Sequence, residues 1–280
     1  MWSELATRST LFRARVQVEV MNARNYTKSK KPQRTATSAK KKKRILMVHG
    51  YGQTAESFRK KTGAFRKSVK STVGEFVFIE ATLDAPPREK EEKEAGDPDI
   101  PTIIVTHYGH SSTLDAALEE ERGELSLTTK GIDANDGKAW WVKSKSDTTG
   151  WKESMNYLVS TLERERFDGI VGFSQGASMV SLLVAENQRR GTDWFQFAVF
   201  ISGFLPRAPE MKEMATQSKT QIPTWHCFGE TDAIIPQHMS QELSALMGDK
   251  AVTCSHSGGH FVPSSKETRD SMKKFMASLD

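Results

Sequence analysis

The chain has 280 residues, of which 37% are hydrophobic, so it is long enough to bury a sizeable core. It contains no apolar run that approaches the roughly 18 residues of a membrane-spanning helix. Its net charge of +5 is unevenly distributed, because residues 1–44 hold thirteen Lys/Arg and two Glu, whereas the remaining 236 carry a net charge of −6. The basic character therefore belongs to the first segment, and the charge of the rest gives no reason to expect nucleic-acid binding.

The basic N-terminal extension, residues 1–43, permits three interpretations. Its first half is rich in Arg, poor in acidic residues and weakly amphipathic, which is typical of mitochondrial transit peptides. Its end, Lys40–Arg44, resembles a nuclear-localisation or polyanion-binding patch. The third interpretation is a disordered extension without targeting function, which corresponds to a cytoplasmic protein. We expect no secretory signal, because the segment lacks its hydrophobic region.

From residue 44 onward, strand and helix patterns alternate, which is typical of a parallel sheet covered by helices on both faces. Several runs are apolar throughout, as strands buried on both faces require. We therefore predict an α/β fold with a doubly wound, mainly parallel sheet in one domain, 44–280. The predicted strands are 45–48, 76–80, 169–173, 197–202, 223–228 and 251–255. The predicted helices are 54–70, 150–164, 176–189, 237–246 and 265–278.

Residues 88–136 interrupt this alternation and are interpreted as a variable insertion. The segment opens with the charge run 88–94, a pattern that usually forms a solvated loop or an exposed helix. Because it lies between an early strand and the nucleophile motif described next, it is a candidate cap for the site. Its His107 and His110 have no further ligands nearby, which favours an ordinary loop over a metal site. We expect neither a metal nor another cofactor.

The most informative motif is Gly172-Phe173-Ser174-Gln175-Gly176, which lies between a buried strand and a helix of small residues. At a strand-to-helix turn, G-x-S-x-G forces the serine into a strained backbone conformation and projects its hydroxyl outward. Side chains at the two glycines would collide with the adjoining strand and helix. The motif predicts Ser174 as a nucleophile and the backbone amide of Gln175, at a helix N-terminus, as a donor to a developing oxyanion.

An acid and a base follow in the chain order that such serine hydrolases use. Asp232 lies on the turn after one late strand, and His260 follows the last strand in a Gly-Gly-His sequence. The two glycines give that loop the freedom to bring an imidazole over the serine. We predict that Ser174 attacks an acyl carbon, that His260 transfers the proton and that Asp232 orients and stabilises the imidazolium.

Each partner has an alternative in the same loop. Glu230 is close enough in sequence to Asp232 to be the acid instead, and His256 lies near His260. Asp232 alone could also be interpreted as a residue that begins the following helix. That structural interpretation is reasonable for an isolated Asp and weak beside the serine motif and the histidine.

The loop after the first strand, His49-Gly50-Tyr51-Gly52-Gln53, is a candidate for the second oxyanion donor. A His-Gly loop after an early strand usually supplies it through a backbone amide, which we assign to Tyr51. We predict that the His49 side chain is a structural hydrogen-bonding group and neither an acid nor a base. The two cysteines, Cys227 and Cys254, lie in predicted strands as small buried hydrophobes, which indicates a reducing compartment.

These motifs resemble the FSH-type family of serine hydrolases, and within it the animal esterases. The resemblance implies an α/β-hydrolase fold, a triad of Ser174, Asp232 and His260, and carboxylester hydrolysis, in animal members with a preference for long-chain alkyl esters. It extends from residue 44 to about 278, without most of the 88–136 insertion. The matching stretches are Ile45–Gln53, Gly137–Trp141, Phe167–Ala177, Phe200–Phe204, Phe228–Pro236 and His256–Pro263.

Aromatic residues near the predicted loops are candidates for an apolar acyl or alkyl channel: Tyr51, Trp140, Trp141, Phe204 and Phe261. The alternative for each is a place in the core. The leading functional hypothesis is a carboxylesterase that acts on small-molecule esters with apolar or long chains through an acyl-enzyme. An acyl-thioesterase or protein deacylase would use the same chemistry. A non-catalytic hydrolase-fold binding protein is the hypothesis from another class, and the intact set of three residues argues against it.

Overall fold

The computed structural model describes residues 41–86, 137–143, 148–217 and 220–279. Six strands form one sheet in which every neighbouring pair is parallel, and four strands of two residues each form two small antiparallel ladders. In chain order the strands are β1 (Lys43–Val48), β2 (Val73–Ile79), β3 (Leu83–Asp84), β4 (Lys138–Ala139), β5 (Val142–Lys143), β6 (Thr148–Thr149), β7 (Gly169–Phe173), β8 (Phe197–Ile201), β9 (Thr224–Gly229) and β10 (Ala251–His256).

Helices cover both faces of the six-stranded sheet, which confirms the predicted α/β fold. They are α1 (Ala55–Lys61), α2 (Gly63–Ser68), α3 (Trp151–Arg164), α4 (Gln175–Arg190), α5 (Pro209–Thr216), α6 (Gln237–Leu246) and α7 (Lys266–Ser278). Side chains of successive strand residues point to opposite faces. In β1, Leu46 accordingly packs in one core cluster with residues of α3 and α4, and Met47 packs in the other with residues of α1, α2 and α7.

The structure differs from the predicted elements in the four short strands β3–β6, which were not predicted, and in three longer elements. The helix predicted over 54–70 is two helices, because the chain leaves the first one at Thr62, whose hydroxyl donates to the carbonyl oxygen of Phe58 at 2.9 Å. The second strand begins at Val73, three residues before its predicted start. Helix α5 was not predicted, although Pro209 at its first position is a recognised helix-start signal.

The order of strands places the loops after β1 and β7 side by side. The sheet runs β10-β9-β8-β7-β1-β2, so the chain builds outward from β1 first in one direction and then in the other. β1 pairs with β7 in parallel, with Val48 opposite Gly172. Open parallel sheets form a crevice at the carboxyl ends of their strands at such a switch point. The fold therefore brings the loop after Val48 next to the turn after Phe173.

Several sequence predictions fall on residues outside the described ranges. These are the 1–43 extension up to residue 40, and the 88–136 insertion with its His107 and His110. Within the described ranges, no helix combines the length and the apolar character needed to cross a membrane. Cys227 and Cys254 lie opposite each other in β9 and β10, but only Cys227 is buried, so the prediction of two buried cysteines is half correct.

Candidate active site

Ser174 occupies the turn between β7 and α4 in a conformation that non-glycine residues rarely adopt. Its φ is 52° and its ψ is −121°, and its N–H donates to the carbonyl oxygen of Ile201 in β8 at 2.9 Å. Strained residues of this kind persist only where surrounding structure holds them, and they concentrate at functional sites. The strained turn that the G-x-S-x-G motif predicts is therefore present.

Both glycines of the motif lie where a Cβ atom could not fit. A Cβ on Gly172 would lie 2.5 Å from the Cα of Ala177, and one on Gly176 would lie 2.3 Å from the carbonyl oxygen of His49. Helix α4 consequently packs directly against the backbone that follows β1. The predicted collisions with helix and strand are confirmed, and they explain how the serine turn and the His49 loop come into contact.

The side chains of Ser174, His260 and Asp232 form one continuous hydrogen-bonded chain. The Nε2 atom of His260 lies 2.9 Å from the Oγ of Ser174, and its Nδ1 lies 2.8 Å from the Oδ2 of Asp232. The ring of His260 also packs on that of Phe173, with centroids 4.9 Å apart. A hydroxyl, an imidazole and a carboxylate in this order can pass a proton from the hydroxyl to the ring while the carboxylate stabilises the resulting charge.

Asp232 is held as a carboxylate although its side chain is fully buried. Burial alone would raise its pKa. The hydrogen bond and charge of His260, together with hydrogen bonds from the N–H groups of Ile234 and Ile235 to Oδ1 at 3.0 and 2.8 Å, outweigh burial and lower the pKa below the ordinary value. Asp232 is therefore ionised at neutral pH, and each oxygen has a partner.

The two alternative residues are engaged elsewhere. Glu230 is exposed and its Oε1 accepts a hydrogen bond from the hydroxyl of Ser255 at 2.8 Å. His256 is buried at the end of β10, where its Nδ1 accepts from the N–H of Gly258 at 3.2 Å and its ring packs against that of Phe261. Since neither side chain bonds to Ser174 or His260 within the described residues, the geometry favours Asp232 and His260.

The two predicted oxyanion donors lie on the adjoining loops. Gln175 is the first residue of α4, so its N–H belongs to the first helical turn, which has no intrahelical acceptor. Tyr51 lies on the loop after β1, and its hydroxyl donates to the carbonyl oxygen of Pro86 at 2.8 Å. The ring of His49 makes two hydrogen bonds to the backbone, at Gly50 and Ala81, which confirms its predicted structural role.

The side chain of Gln175 has a function that the sequence did not reveal. Its Oε1 accepts from the N–H of Trp140 at 2.9 Å, and its Nε2 donates to the carbonyl oxygen of Trp141 at 2.8 Å. The indole N–H of Trp140 donates in turn to the carbonyl oxygen of His49 at 2.8 Å. Gln175 thus joins the nucleophile turn to the segment at Trp140 and Trp141, and Trp140 joins that segment to the His49 loop. The only sequence signal for this role was the presence of a Gln next to the serine.

Besides Tyr51, whose hydroxyl bonds to Pro86, four aromatic residues were predicted to line a pocket, and they divide into two groups. Trp140 has no exposed surface and supports the His49 loop, so its assignment to the pocket is corrected to the core. Trp141 and Phe204 are half-buried and meet edge to face with ring centroids 6.4 Å apart. Phe261, next to His260 in sequence, is 39% exposed. Trp141, Phe204 and Phe261 remain available to contact a ligand.

Comparisons with known proteins agree on one family and one fold. The family model described as serine hydrolase (FSH1) matches residues 37–272 of the chain. Esterase OVCA2 of Danio rerio is 34% identical over 239 residues, which cover 83% of this chain and 96% of the relative. Esterase C25G4.2 of Caenorhabditis elegans is 30% identical over 242 residues, which cover 85% and 95%. The crystal structure of esterase PE8 superposes with a TM-score of 0.51 at 17% identity, covers 85% of this chain and 93% of its own, and supports the fold alone.

Proposed function

The chain belongs to the serine hydrolase (FSH1) family and is an esterase-type enzyme, and on that premise we propose that it hydrolyses carboxylic esters with apolar acyl or alkyl chains through an acyl-enzyme on Ser174. The observation that carries the proposal is the unbroken hydrogen-bonded chain from Ser174 through His260 to the buried carboxylate of Asp232. This arrangement supports an activated serine nucleophile because the base and its orienting acid are both within hydrogen-bond distance.

In the first half-reaction the Oγ of Ser174 attacks the ester carbonyl carbon and its proton passes to the Nε2 of His260. Asp232 stabilises the imidazolium. When the tetrahedral intermediate collapses, the carbon–oxygen bond to the alcohol breaks and His260 returns the proton to the departing oxygen. In the second half-reaction a water molecule attacks the acyl carbon and gives a proton to His260. When this second tetrahedral intermediate collapses, the bond between the acyl carbon and the Oγ of Ser174 breaks, the acid leaves, and His260 returns the proton to Oγ.

The negative charge that develops on the carbonyl oxygen needs donors fixed in advance. We assign these to the backbone amides of Gln175 and Tyr51. The contact between Gly176 and the carbonyl oxygen of His49, where a Cβ would approach to 2.3 Å, supports this assignment because it keeps the two loops in direct contact. No metal is required for this chemistry.

The preference for apolar chains rests on the aromatic residues that flank the site. Trp141 is joined to the nucleophile turn through the Nε2 of Gln175, and its ring meets that of Phe204. An apolar chain that leaves water for such a surface gains roughly 0.8 kcal/mol for each buried methylene group. We propose that this aromatic pair contacts the acyl or alkyl chain of the substrate.

The proposal is tested with p-nitrophenyl esters from acetate to palmitate and with the corresponding thioesters, using the wild type and Ser174→Ala. We expect hydrolysis of oxyesters with an optimum beyond the shortest chains, and a loss of about 10⁴-fold or more in Ser174→Ala. A preference for thioesters would replace the carboxylesterase assignment with a thioesterase. If the folded wild type hydrolyses neither class, the proposal is wrong and a non-catalytic binding function takes its place.

A further inference from the structure

We propose that His49 is a positioning residue that holds the Gly50–Tyr51 peptide with the Tyr51 N–H directed at the oxyanion site. The inference rests on the proposed function, because it concerns the donor assigned there to Tyr51. It goes beyond that function by explaining what fixes the donor. The contacts that support it belong to the His49 ring, the two peptide groups that follow it and the segment at Trp140.

The two nitrogens of the His49 ring have different backbone partners, and these partners assign the tautomer. Nδ1 lies 2.8 Å from the carbonyl oxygen of Gly50, which can only accept, so Nδ1 carries the proton. Nε2 lies 3.1 Å from the backbone N of Ala81, which donates, so Nε2 is the acceptor. The ring is fully buried. Only the neutral Nδ1–H form satisfies both bonds.

The bond to the Gly50 oxygen determines where the next N–H points. The described backbone contains no cis peptide bonds, so the C=O of Gly50 and the N–H of Tyr51 lie on opposite sides of one planar group. When His49 holds the oxygen on its own side, the N–H faces away from the ring. A rotated peptide would present the Gly50 oxygen to the site instead, and an oxygen there would repel a developing oxyanion.

The turn around this peptide favours the same orientation, but its bond to the Gly50 oxygen is weaker than that of His49. The N–H of Gln53 also donates to the Gly50 oxygen, at 3.3 Å, and Gly52 has the positive φ of 69° that the third residue of a type II turn requires. The side-chain Oε1 of Gln53 accepts from the N–H of Gly50 at 2.9 Å. The His49 bond is shorter than the turn bond to the same oxygen, so its loss should loosen the peptide without unfolding the loop.

The His49 loop is also fixed relative to the nucleophile. The carbonyl oxygen of His49 accepts from the indole of Trp140 at 2.8 Å, and the N–H of Trp140 donates to the side chain of Gln175 at 2.9 Å. Gln175 supplies the other proposed donor through its own backbone. A hydrogen-bonded path therefore runs from one oxyanion donor to the other, and His49 completes it at the Tyr51 end.

Burial keeps the imidazole neutral, as this arrangement requires. Removal from water lowers the pKa of His49, and this outweighs the carbonyl of Gly50 and the charge of Glu80, which act to raise it. A proton on Nε2 would point directly at the N–H of Ala81. The neutral ring is thus the state compatible with the loop as it stands.

Two amide substitutions test the contacts of the two ring nitrogens separately. In His49→Asn the amide nitrogen can take the position of Nδ1 and still donate to the Gly50 oxygen, although the contact with Ala81 is lost. In His49→Gln the longer side chain can reach Ala81 with its oxygen but leaves the Gly50 oxygen without its short bond. If His49 only stabilised the fold, both substitutions should lower activity. The proposed role depends on the bond to the Gly50 oxygen, which only Asn retains.

We expect kcat for a p-nitrophenyl ester to fall about 10- to 100-fold in His49→Gln with little change in KM, somewhat less than the loss seen when an oxyanion donor is removed outright. His49→Asn should remain within about threefold of the wild type, because it keeps the donor at the Gly50 oxygen. An alkylboronic acid, whose adduct on Ser174 carries a tetrahedral oxyanion, should lose affinity in parallel with kcat in His49→Gln.

The inference is overturned if folded His49→Gln has wild-type kcat and boronate affinity, or if both variants lose activity equally. If neither variant folds, ¹⁵N NMR of the wild-type imidazole decides, since an Nε2–H tautomer of His49 would contradict the proposal. A wild type that neither hydrolyses esters nor binds the boronate would instead contradict the proposed function, so the two failures are distinguishable.

Discussion

The Nε2 atom of His260 lies 2.9 Å from the Oγ of Ser174, although 86 residues separate them in the chain. Neither residue belongs to a strand. Ser174 follows β7, His260 follows β10, and the two strands are separated by β8 and β9 in the sheet. The long glycine-containing loop after β10 spans that distance. The contact therefore depends on the whole sheet.

Asp232 is predicted to be the acid of the site, and the nearby Glu230 provides a matched control. Asp232→Asn should lower kcat about 10³- to 10⁴-fold, because an amide no longer stabilises the protonated ring and can favour the wrong tautomer. Glu230→Gln should stay close to the wild type, since its carboxylate is exposed and bonds only to Ser255 among the described residues. The measurement is kcat for ester hydrolysis in the two variants. A large loss in Glu230→Gln with little loss in Asp232→Asn would make Glu230 the acid instead of Asp232.

Gly176 is predicted to tolerate no side chain, while Gly63 should tolerate one. A Cβ on Gly176 would lie 2.3 Å from the carbonyl oxygen of His49, whereas nothing lies within 4 Å of the same atom on Gly63. Gly176→Ala should lower the melting temperature and abolish ester hydrolysis, because the helix must move off the His49 loop. Gly63→Ala should be neutral or slightly stabilising, since alanine favours a helix over glycine. An active, stable Gly176→Ala protein would disprove the tight contact.

His226 should contribute to acid sensitivity. Its ring is buried in β9, stacked on Phe200 at 4.6 Å, and burial lowers its pKa from 6.5 to about 3. Since the unfolded chain binds the proton more readily, the neutral ring favours folding above about pH 6.5, and this contribution is lost as the pH falls toward 3. Urea unfolding across that range should show a smaller loss of stability in His226→Phe than in the wild type. Equal losses would contradict this explanation.

Trp141 and Phe204 are predicted to contact the substrate chain. Alanine at either position should lower kcat/KM for long-chain esters about tenfold relative to acetate, because a single methylene in an apolar pocket contributes about 1–3 kcal/mol to discrimination. Tyr157→Ala is a suitable control, since this aromatic side chain lies exposed on α3. The chain-length profile of each variant provides the measurement. A profile unchanged in both pocket variants would remove the aromatic pair from the substrate site.

The strained serine turn and the order of acid and base could be predicted because they depend on local sequence. G-x-S-x-G specifies its own backbone geometry, and the strand that precedes each loop fixes which edge of the sheet the loop reaches. The six long strands are apolar enough to be recognised without knowledge of their partners. The sequence left Glu230 open as the acid, and the choice between it and Asp232 needed the positions of the two carboxylates in the structure.

The positions of Trp140 and Trp141 could not be predicted, because both residues lie in the connection between β4 and β5, where no regular side-chain periodicity assigns a residue to a face. Which of the two becomes core depends on where the segment docks, and that is set by the side chain of Gln175, more than 30 residues away. Helix α5 was missed for a related reason. Its two buried residues, Met211 and Ala215, form too short an apolar pattern to distinguish from a loop.

The central claim, that Ser174 is an activated nucleophile, is tested most directly by labelling with a fluorophosphonate. The Oγ attacks phosphorus, fluoride leaves and His260 takes the proton, so the reagent requires the contact between the two residues. Ser202 offers a matched control: it directly follows the neighbouring strand β8, has a φ of 46° and is fully buried, but its hydroxyl has no partner among the described residues. We predict that the wild type and Ser202→Ala are labelled and that Ser174→Ala is not. Labelling of folded Ser174→Ala, or a folded wild type that does not react, would contradict the account.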